Sequence, residues 1–430
     1  MKGNFQIIIL IVFITAAVLG VLVFSGAIPL GNQSDTTGAQ GTVILWGTVK
    51  NQIISPLLED FNRANPTFVV KYVEKSADTF DNDLLESLAG GVGPDMFFIS
   101  DDLVFKYNNK IYTIPYQSFP INTFKNTFVS AGEVFLNSKG VLAFPLTVDP
   151  LMMYYNRSML DANGIANPPI YWDEFANLVL LLTKKNDKGM ITKSMVAMGQ
   201  FSNVLHAKDI LSTLFMQAGN SIIAEKNGSF ASVLSQTGKY DLGSILKFYT
   251  DFTDPLKNVY SWNRSFSNSR DAFSAENLAF YFGYASELQS LVNKNPNQNF
   301  LVASMPQIRS SNFKLTSARV TGIAISSFSK NFNTTFTAAG LMANSDFASK
   351  LATSLGIAPV RRDLLKNMPT DAYLSNFYTS AFFARNWLDP SSKNTDDIFR
   401  GMIEKVLSNS MSVGEAINDT STKLGLLLVK

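Results

Sequence analysis

The side chains with most capacity for chemistry sit at the ends of apolar runs. The run "MFFIS" (Met96 to Ser100) is followed at once by Asp101 and Asp102. The longer run "GVLAFPLTVDPLMMYYN" (Gly140 to Asn156) carries Asp149 next to a proline. Carboxylates at such points support two kinds of chemistry. As an acid and a nucleophile or base, a pair of them cleaves a glycosidic bond, and Asp101 with Asp149 is the pair to consider. As acceptors, they hold the hydroxyls of a polyol or pair with a cation such as a polyamine. Other chemistries have little to stand on. There is no cysteine, which removes thiol catalysis, disulfides, thiolate metal sites and a lipoprotein anchor together. The single histidine, His206, lies between Leu205 and Ala207 and reads as a partly packed surface residue. One histidine builds no His-rich metal site. No Gly-x-Ser-x-Gly or metal motif occurs, so no cofactor or metal is expected and an enzyme is the weaker reading.

A chain of 430 residues exceeds one ordinary core, so two or three domains are expected. With 46% hydrophobic and 16% charged residues the composition is globular. The formal charge of +2, with scattered Lys and Arg, gives no nucleic-acid footprint. The segment Ile7 to Phe24, "IIILIVFITAAVLGVLVF", is long enough to span a bilayer, for which about 20 apolar residues suffice. A cleaved signal core has only about 7–15, yet Ser25-Gly26-Ala27 offers small residues for cleavage. An uncleaved signal anchor over residues 1–30 is the preferred reading, with secretion after cleavage the alternative. Either exports the rest of the chain. Residues 31–41, "GNQSDTTGAQG", read as a flexible linker.

The elements that must position the carboxylates alternate from Thr42 onward. "TVILW" (Thr42 to Trp46) is a short strand running into Gly47-Thr48. A helix follows with Ile53, Ile54, Leu57, Leu58 and Phe61 on one face and Pro56 inside it, where a kink is expected. A strand ending at Glu74, a helix near Asp83 to Leu88, and "MFFIS" complete a strand–helix–strand–helix–strand pattern, which predicts a parallel sheet. Helices are expected over Asn167 to Lys184, Lys208 to Ala218, Gly243 to Phe252, Thr395 to Leu407 and Val413 to Leu428. Strands are expected after Ser274, at Phe300 to Pro306 and at Thr321 to Ser326. In open α/β sheets ligands bind outside the carboxyl ends of the strands. That rule selects Trp46, Gly47 and Thr48; Ser100, Asp101 and Asp102; Asp149; and the stretch Gly283 to Glu287 with Tyr284. Each has a bland alternative. Trp46 is equally a rim or core aromatic, Thr48 an N-cap, one of Asp101 and Asp102 a helix cap, and Ser286 a cap rather than a ligand contact.

Ordered landmarks carry a resemblance across residues 42 to 430. They are Trp46-Gly47, "EDFNRANP", "GGVGPDMFFIS", "GVLAFPLTVDPLMMYYNRSMLDANGI", "PPIYWDEF", "DAFSAENLAFYFGYASEL", "VTGIAIS" and "LGIAPVRRDLL". Tyr171, Ala275 and Phe280 depart from the usual Thr, Gly and Met. In this order the chain resembles the extracellular solute-binding proteins of ABC importers, the group that includes maltose-binding protein. The resemblance implies an α/β, periplasmic-binding-protein-like (type II) fold with two lobes and a hinge, here preceded by an N-terminal transmembrane helix. Lobe 1 would comprise residues 42–148 plus about 304–342, and lobe 2 residues 149–303 plus about 343–430. The interruption of the run at Gly140 to Asn156 is then the first crossing. Pro145 and Pro150 lack amide donors and would break the strand there, leaving Val148 and Pro150 as hinge and Asp149 at a turn facing a cleft. "VASMPQ" with Pro306 would be the second crossing, and a third would fall near Gly340 to Asp346.

The resemblance also adds "ARNWLDP", with Trp387, to the ligand candidates. Carboxylates for hydroxyls and aromatic faces from Trp46, Tyr284 and Trp387 for sugar C–H surfaces suit an oligosaccharide; a polyamine stays open. The implied function is extracytoplasmic solute binding by hinge closure, delivering a sugar to ABC-transporter permease subunits. The body is expected to be a monomer held at the cell membrane by its N-terminal helix. A membrane-tethered sensor for a receptor and a glycoside hydrolase are the alternatives.

Overall fold

The computed structural model describes residues 39–226, 228–236 and 240–429. The expected membrane helix and most of the linker lie outside them. Among the described residues no helix is long and apolar enough to cross a membrane. The principal elements, in chain order, are β1 (Gly41–Gly47), α1 (Asn51–Ala64), β2 (Phe68–Glu74), α2 (Phe80–Ala89), β3 (Met96–Ser100) and β4 (Ala143–Asn156). There follow α3 (Phe175–Leu182), β5 (Ile191–Val196), α4 (Ala207–Gln217), α5 (Leu242–Asp251), β6 (Leu278–Tyr284), β7 (Phe300–Ser304) and β8 (Thr316–Ile325). The chain ends with α6 (Ser345–Leu355), β9 (Ala358–Pro359), α7 (Ser392–Leu407) and α8 (Val413–Leu428).

The chain forms two compact units, dividing after Val148, after Ala318 and after Met368. In the first unit β1 is parallel to both β2 and β3, with Trp46 opposite Val73 and Phe97. This is the sheet that alternating apolar strands and amphipathic helices imply. Residues Thr321–Ile325 of β8 close it on the other side, antiparallel to Ser100–Met96 of β3. Val43, Leu45, Phe97, Ile99 and Ile323 are buried along these strands, and α1 turns Ile54, Leu58 and Phe61 inward. Pro56 is accommodated inside α1, which runs unbroken.

In the second unit the Leu151–Tyr155 half of β4 is antiparallel to Tyr284–Phe280 of β6, and Met152–Asn156 pairs with Ser304–Phe300 of β7. β5 lies parallel to β6. Trp172, Phe175 and Phe282 pack as an aromatic cluster, with centroids 5.2 to 6.4 Å apart. The expected helix from Asn167 forms only from Phe175, because Asn167 to Tyr171 run irregularly and Trp172–Glu174 take a tighter single turn.

Three sequence expectations need correction. β4 does not break at its prolines; it is one continuous strand, buried throughout. Its ladder changes partner instead. β9 pairs with Thr147 and Val148, and β6 begins at Leu151. Pro150 falls between the two partners, where a missing N–H leaves neither ladder short. Second, the chain re-enters the first unit after Ala318, inside β8, so Pro306 lies within the second unit rather than at a crossing. Third, the last division comes after Met368, beyond Gly340 to Asp346, because α6 and β9 pack in the first unit. β4 and β8 are neighbouring strands, and each carries the chain from one unit into the other.

Candidate functional site

In the first unit the ends of β1 and β3 lie on one edge of the sheet, because the strands are parallel and nearly in register. Trp46 is half-buried there, with the Lys75 ammonium 3.9 Å from its ring centroid. That cation–π contact covers one face. Gly47 has a packing reason to be glycine: a Cβ would stand 2.5 Å from Phe98 Cδ2 and 3.0 Å from the Tyr72 hydroxyl. Thr48 is exposed and is not the N-cap. The cap position of α1 is Lys50, without a side-chain cap. The Asn51 amide instead donates to Glu74 Oε2 at 2.8 Å. That backbone hydrogen bond and then Lys50 hold the Glu74 carboxyl below the usual range. The Asn51 amide at the start of α1 is therefore spent on Glu74. Burial and the Glu74 charge raise the Tyr72 pKa, while its hydroxyl donates to Val49 O at 2.7 Å.

The expected cap on the turn after β3 is absent. Ser100 occupies the cap position without accepting a backbone N–H of the turn, and its hydroxyl donates to the Asp102 side chain instead. Asp101 is buried and accepts the Val320 N–H at 2.8 Å, tying the end of β3 to β8. Of the six candidates in this unit, Trp46, Thr48, Ser100 and Asp102 retain solvent exposure.

In the second unit the end of β6 gathers a denser cluster. Asp149 is buried and accepts two hydrogen bonds from Ser286, from the amide at 2.9 Å and from the hydroxyl at 2.6 Å. Tyr284 is also buried. Its ring meets the His206 ring edge-on at 4.9 Å, and its carbonyl accepts from the Tyr154 hydroxyl at 2.9 Å. Glu287 is the centre of the group. It accepts from the Tyr284 amide at 2.9 Å and the Tyr281 hydroxyl at 2.6 Å, and its Oε1 lies 2.6 Å from His206 Nε2. Arg270 stands 3.9 Å away. Burial alone would raise the Glu287 pKa, but the His206 hydrogen bond and charge, with Tyr281 and the Tyr284 amide, hold it at about 2. His206 caps α4 in the left-handed region, φ 60°, which costs a non-glycine residue strain.

Two residues on, Lys208 is buried and bonds Asp389 and Asp396 at 2.9 Å each, with Thr395 Oγ1 at 3.1 Å. Burial opposes its charge, but the carboxylates of Asp389, Asp209 and Asp396 outweigh that and raise its pKa. Lys208 thereby locks the segment that carries Trp387, whose ring is buried and stacked on Phe399 at 6.1 Å. Tyr284 and Trp387, expected as stacking platforms, are both buried, with His206 edge-on to the first and Phe399 stacked on the second. Glu287 as a partner of His206 was not among the sequence expectations, nor were Lys208 and Asp389. Only the local part of the first was readable: Tyr284 and Glu287 stand at the two ends of a capping box, while His206 comes from a segment 81 residues away. The second was not, since Lys208 and Asp389 are far apart in the chain.

Neither carboxylate of the proposed hydrolase pair stands free. Asp101 receives Val320 in one unit and Asp149 receives Ser286 in the other. No group of three or more potential metal ligands occurs among the described residues.

The chain forms two α/β units joined by several crossings, with polar strand ends in each. The family profile described as "Bacterial extracellular solute-binding protein" matches residues 46–349, more than half of the chain, and the chain belongs to that family. A Brucella abortus (strain 2308) chain named only as a binding protein is 22% identical over 381 residues, covering 85% of each chain. The cyclic α-maltosyl-1,6-maltose binding protein from Arthrobacter globiformis superposes with a TM-score of 0.73, 14% identity, and coverage of 90% of this chain and 98% of that one. A cyclo/maltodextrin-binding protein complexed with maltotetraose gives 0.71, 14%, 91% and 98%. At these identities the structural likeness shows the fold.

Proposed function

We propose that this chain binds an oligosaccharide outside the cytoplasmic membrane and delivers it to an ABC importer, doing no chemistry itself. The observation that carries this reading is the repeated crossing of the chain between two α/β units, on neighbouring strands β4 and β8, in a member of the solute-binding family. Chain segments with Val148 and Pro150 at one crossing are suited to absorb a change of backbone angle when ligand is captured. The sugar assignment draws on the relatives whose names specify maltosyl and maltotetraose ligands. The half-exposed Trp46 and Asp102 and the exposed Thr48 supply an aromatic face and hydroxyl partners from the first unit. The apolar segment Ile7 to Phe24 is taken as an uncleaved anchor, the body as monomeric, and the permease subunits as partners encoded separately.

Thermal unfolding of the full chain in detergent, with maltotetraose, other oligosaccharides, polyamines and amino acids in turn, tests the ligand class, because a native-state ligand raises the melting temperature. A saturable upward shift with an oligosaccharide is expected. A shift with spermidine alone would reject the sugar, and turnover of the sugar would reject a pure binder.

A further inference from the structure

Away from the strand ends, the second unit carries a patch that the binding function does not use. It consists of the end of α3, the hairpin formed by Lys184–Lys185 and β5, and the turn before Tyr260. Leu180, Leu181, Met190 and Leu256 are exposed there, Leu256 to 91%. Lys184, Lys185, Lys188, Lys193 and Lys257 lie in the same segments, 178–193 and 254–260, whose acidic residues are Asp187 and Asp254. Contacts join the pieces. Lys184 pairs with Lys193 across the hairpin, and its ammonium donates to Leu181 O at 2.7 Å. The Lys185 ammonium lies 5.3 Å from the Tyr260 ring centroid, and Tyr260 N–H donates to Lys257 O.

None of these five lysines forms an ion pair among the described residues, whereas Lys75, Lys106, Lys208, Lys294 and Lys405 each do. Lysines on an edge strand discourage strand pairing, which accounts for Lys184 and Lys185. It does not account for exposed leucines and a methionine beside them. Basic residues interleaved with exposed apolar ones match a surface whose polar layer is anionic and whose next layer is hydrocarbon.

We propose that this patch docks the second unit on an anionic lipid surface. The inference rests on the extracytoplasmic, anchored reading above. The residues from Ser25 to Gly41 extend at most about 60 Å, so a body tethered by Ile7 to Phe24 meets the bilayer at high effective concentration. Even weak attraction would then select one orientation.

The test uses the full chain with phosphatidylglycerol-containing vesicles and with phosphatidylcholine vesicles. Hydrogen exchange reports the patch and alkaline extraction reports the anchor, so the two readings fail separately. On the anionic vesicles, amides of residues 178–193 and 254–260 are expected to exchange more slowly by roughly an order of magnitude. The protection should vanish near 1 M salt, where the screening length falls to about 3 Å. It should also vanish in the Lys184→Glu/Lys188→Glu/Lys193→Glu variant and weaken in Leu256→Asp, with melting temperatures unchanged. Equal exchange on the two vesicles, in a chain that resists extraction, overturns the proposal. Protection that appears only when a permease is added also overturns it. If the chain is extracted, salt-sensitive flotation with anionic vesicles alone still supports the patch, and its absence refutes it.

Discussion

The strand ends of the two units solve the same problem differently. At the end of β1 and β3 the carboxylates, Glu74 part-exposed and Asp101 buried, are satisfied by backbone amides. Glu74 takes the Asn51 amide, and Asp101 takes that of Val320. At the end of β6 the groups are held by one another: Glu287 by His206 and Tyr281, and Lys208 by Asp389 and Asp396. A part-exposed acceptor such as Glu74 tolerates loss, because water replaces it at the Asn51 amide. A buried mutual network does not, because every deletion strands a partner away from water. The strand ends of the second unit should therefore be the more rigid and those of the first unit the more adaptable.

The largest break in that comparison should come from Lys208→Ala. It leaves Asp389 buried without its counter-charge and should lower unfolding free energy by about 3–5 kcal/mol, read by urea denaturation. A loss below that of a surface pair would show the network to be wetter than its geometry implies. Glu287 gives a pH signature. Its folded-state pKa of about 2 lies below the ordinary 4.5, so its stabilisation is fully present above pH 4.5 and is lost as pH falls toward 2. Wild type should therefore lose more stability than Glu287→Gln across that window in stepped-pH urea unfolding. Parallel pH curves for the two would remove Glu287 from the centre of the cluster.

Gly47→Ala should cost about 1–3 kcal/mol by overpacking Phe98, and calorimetry would show it even without ligand. At the small end, Lys75→Ala uncovers Trp46 and should cost only about 0.5–1 kcal/mol. If Trp46 contacts sugar, the same change alters affinity by titration calorimetry more than it alters stability.

The first sheet was legible because β1, β2 and β3 are written as apolar strands separated by amphipathic helices. The candidate carboxylates were legible because they follow those strands. Their roles were not. Asp101 and Asp149 looked like ligand acceptors in a linear reading, and the fold gives each a backbone amide from a segment more than a hundred residues away. Tyr284 and Trp387 looked like open aromatic faces until His206 and Phe399 were seen to cover them. The prolines of β4 looked like strand breaks. What they mark is a change of partner, which depends on where β9 and β6 arrive.

By itself the sequence determined the alternation of elements, an apolar run at Ile7 to Phe24, the lack of thiol and His-rich metal chemistry, and the order of motifs that places the chain among solute-binding proteins. These follow from local periodicity and from residue chemistry, which need no distant partner. Only the tertiary structure decided which carboxylates are already occupied, where the chain passes between units, and that His206 is bound to Glu287. Those outcomes depend on contacts between segments far apart in the chain, and no pattern within one segment encodes them.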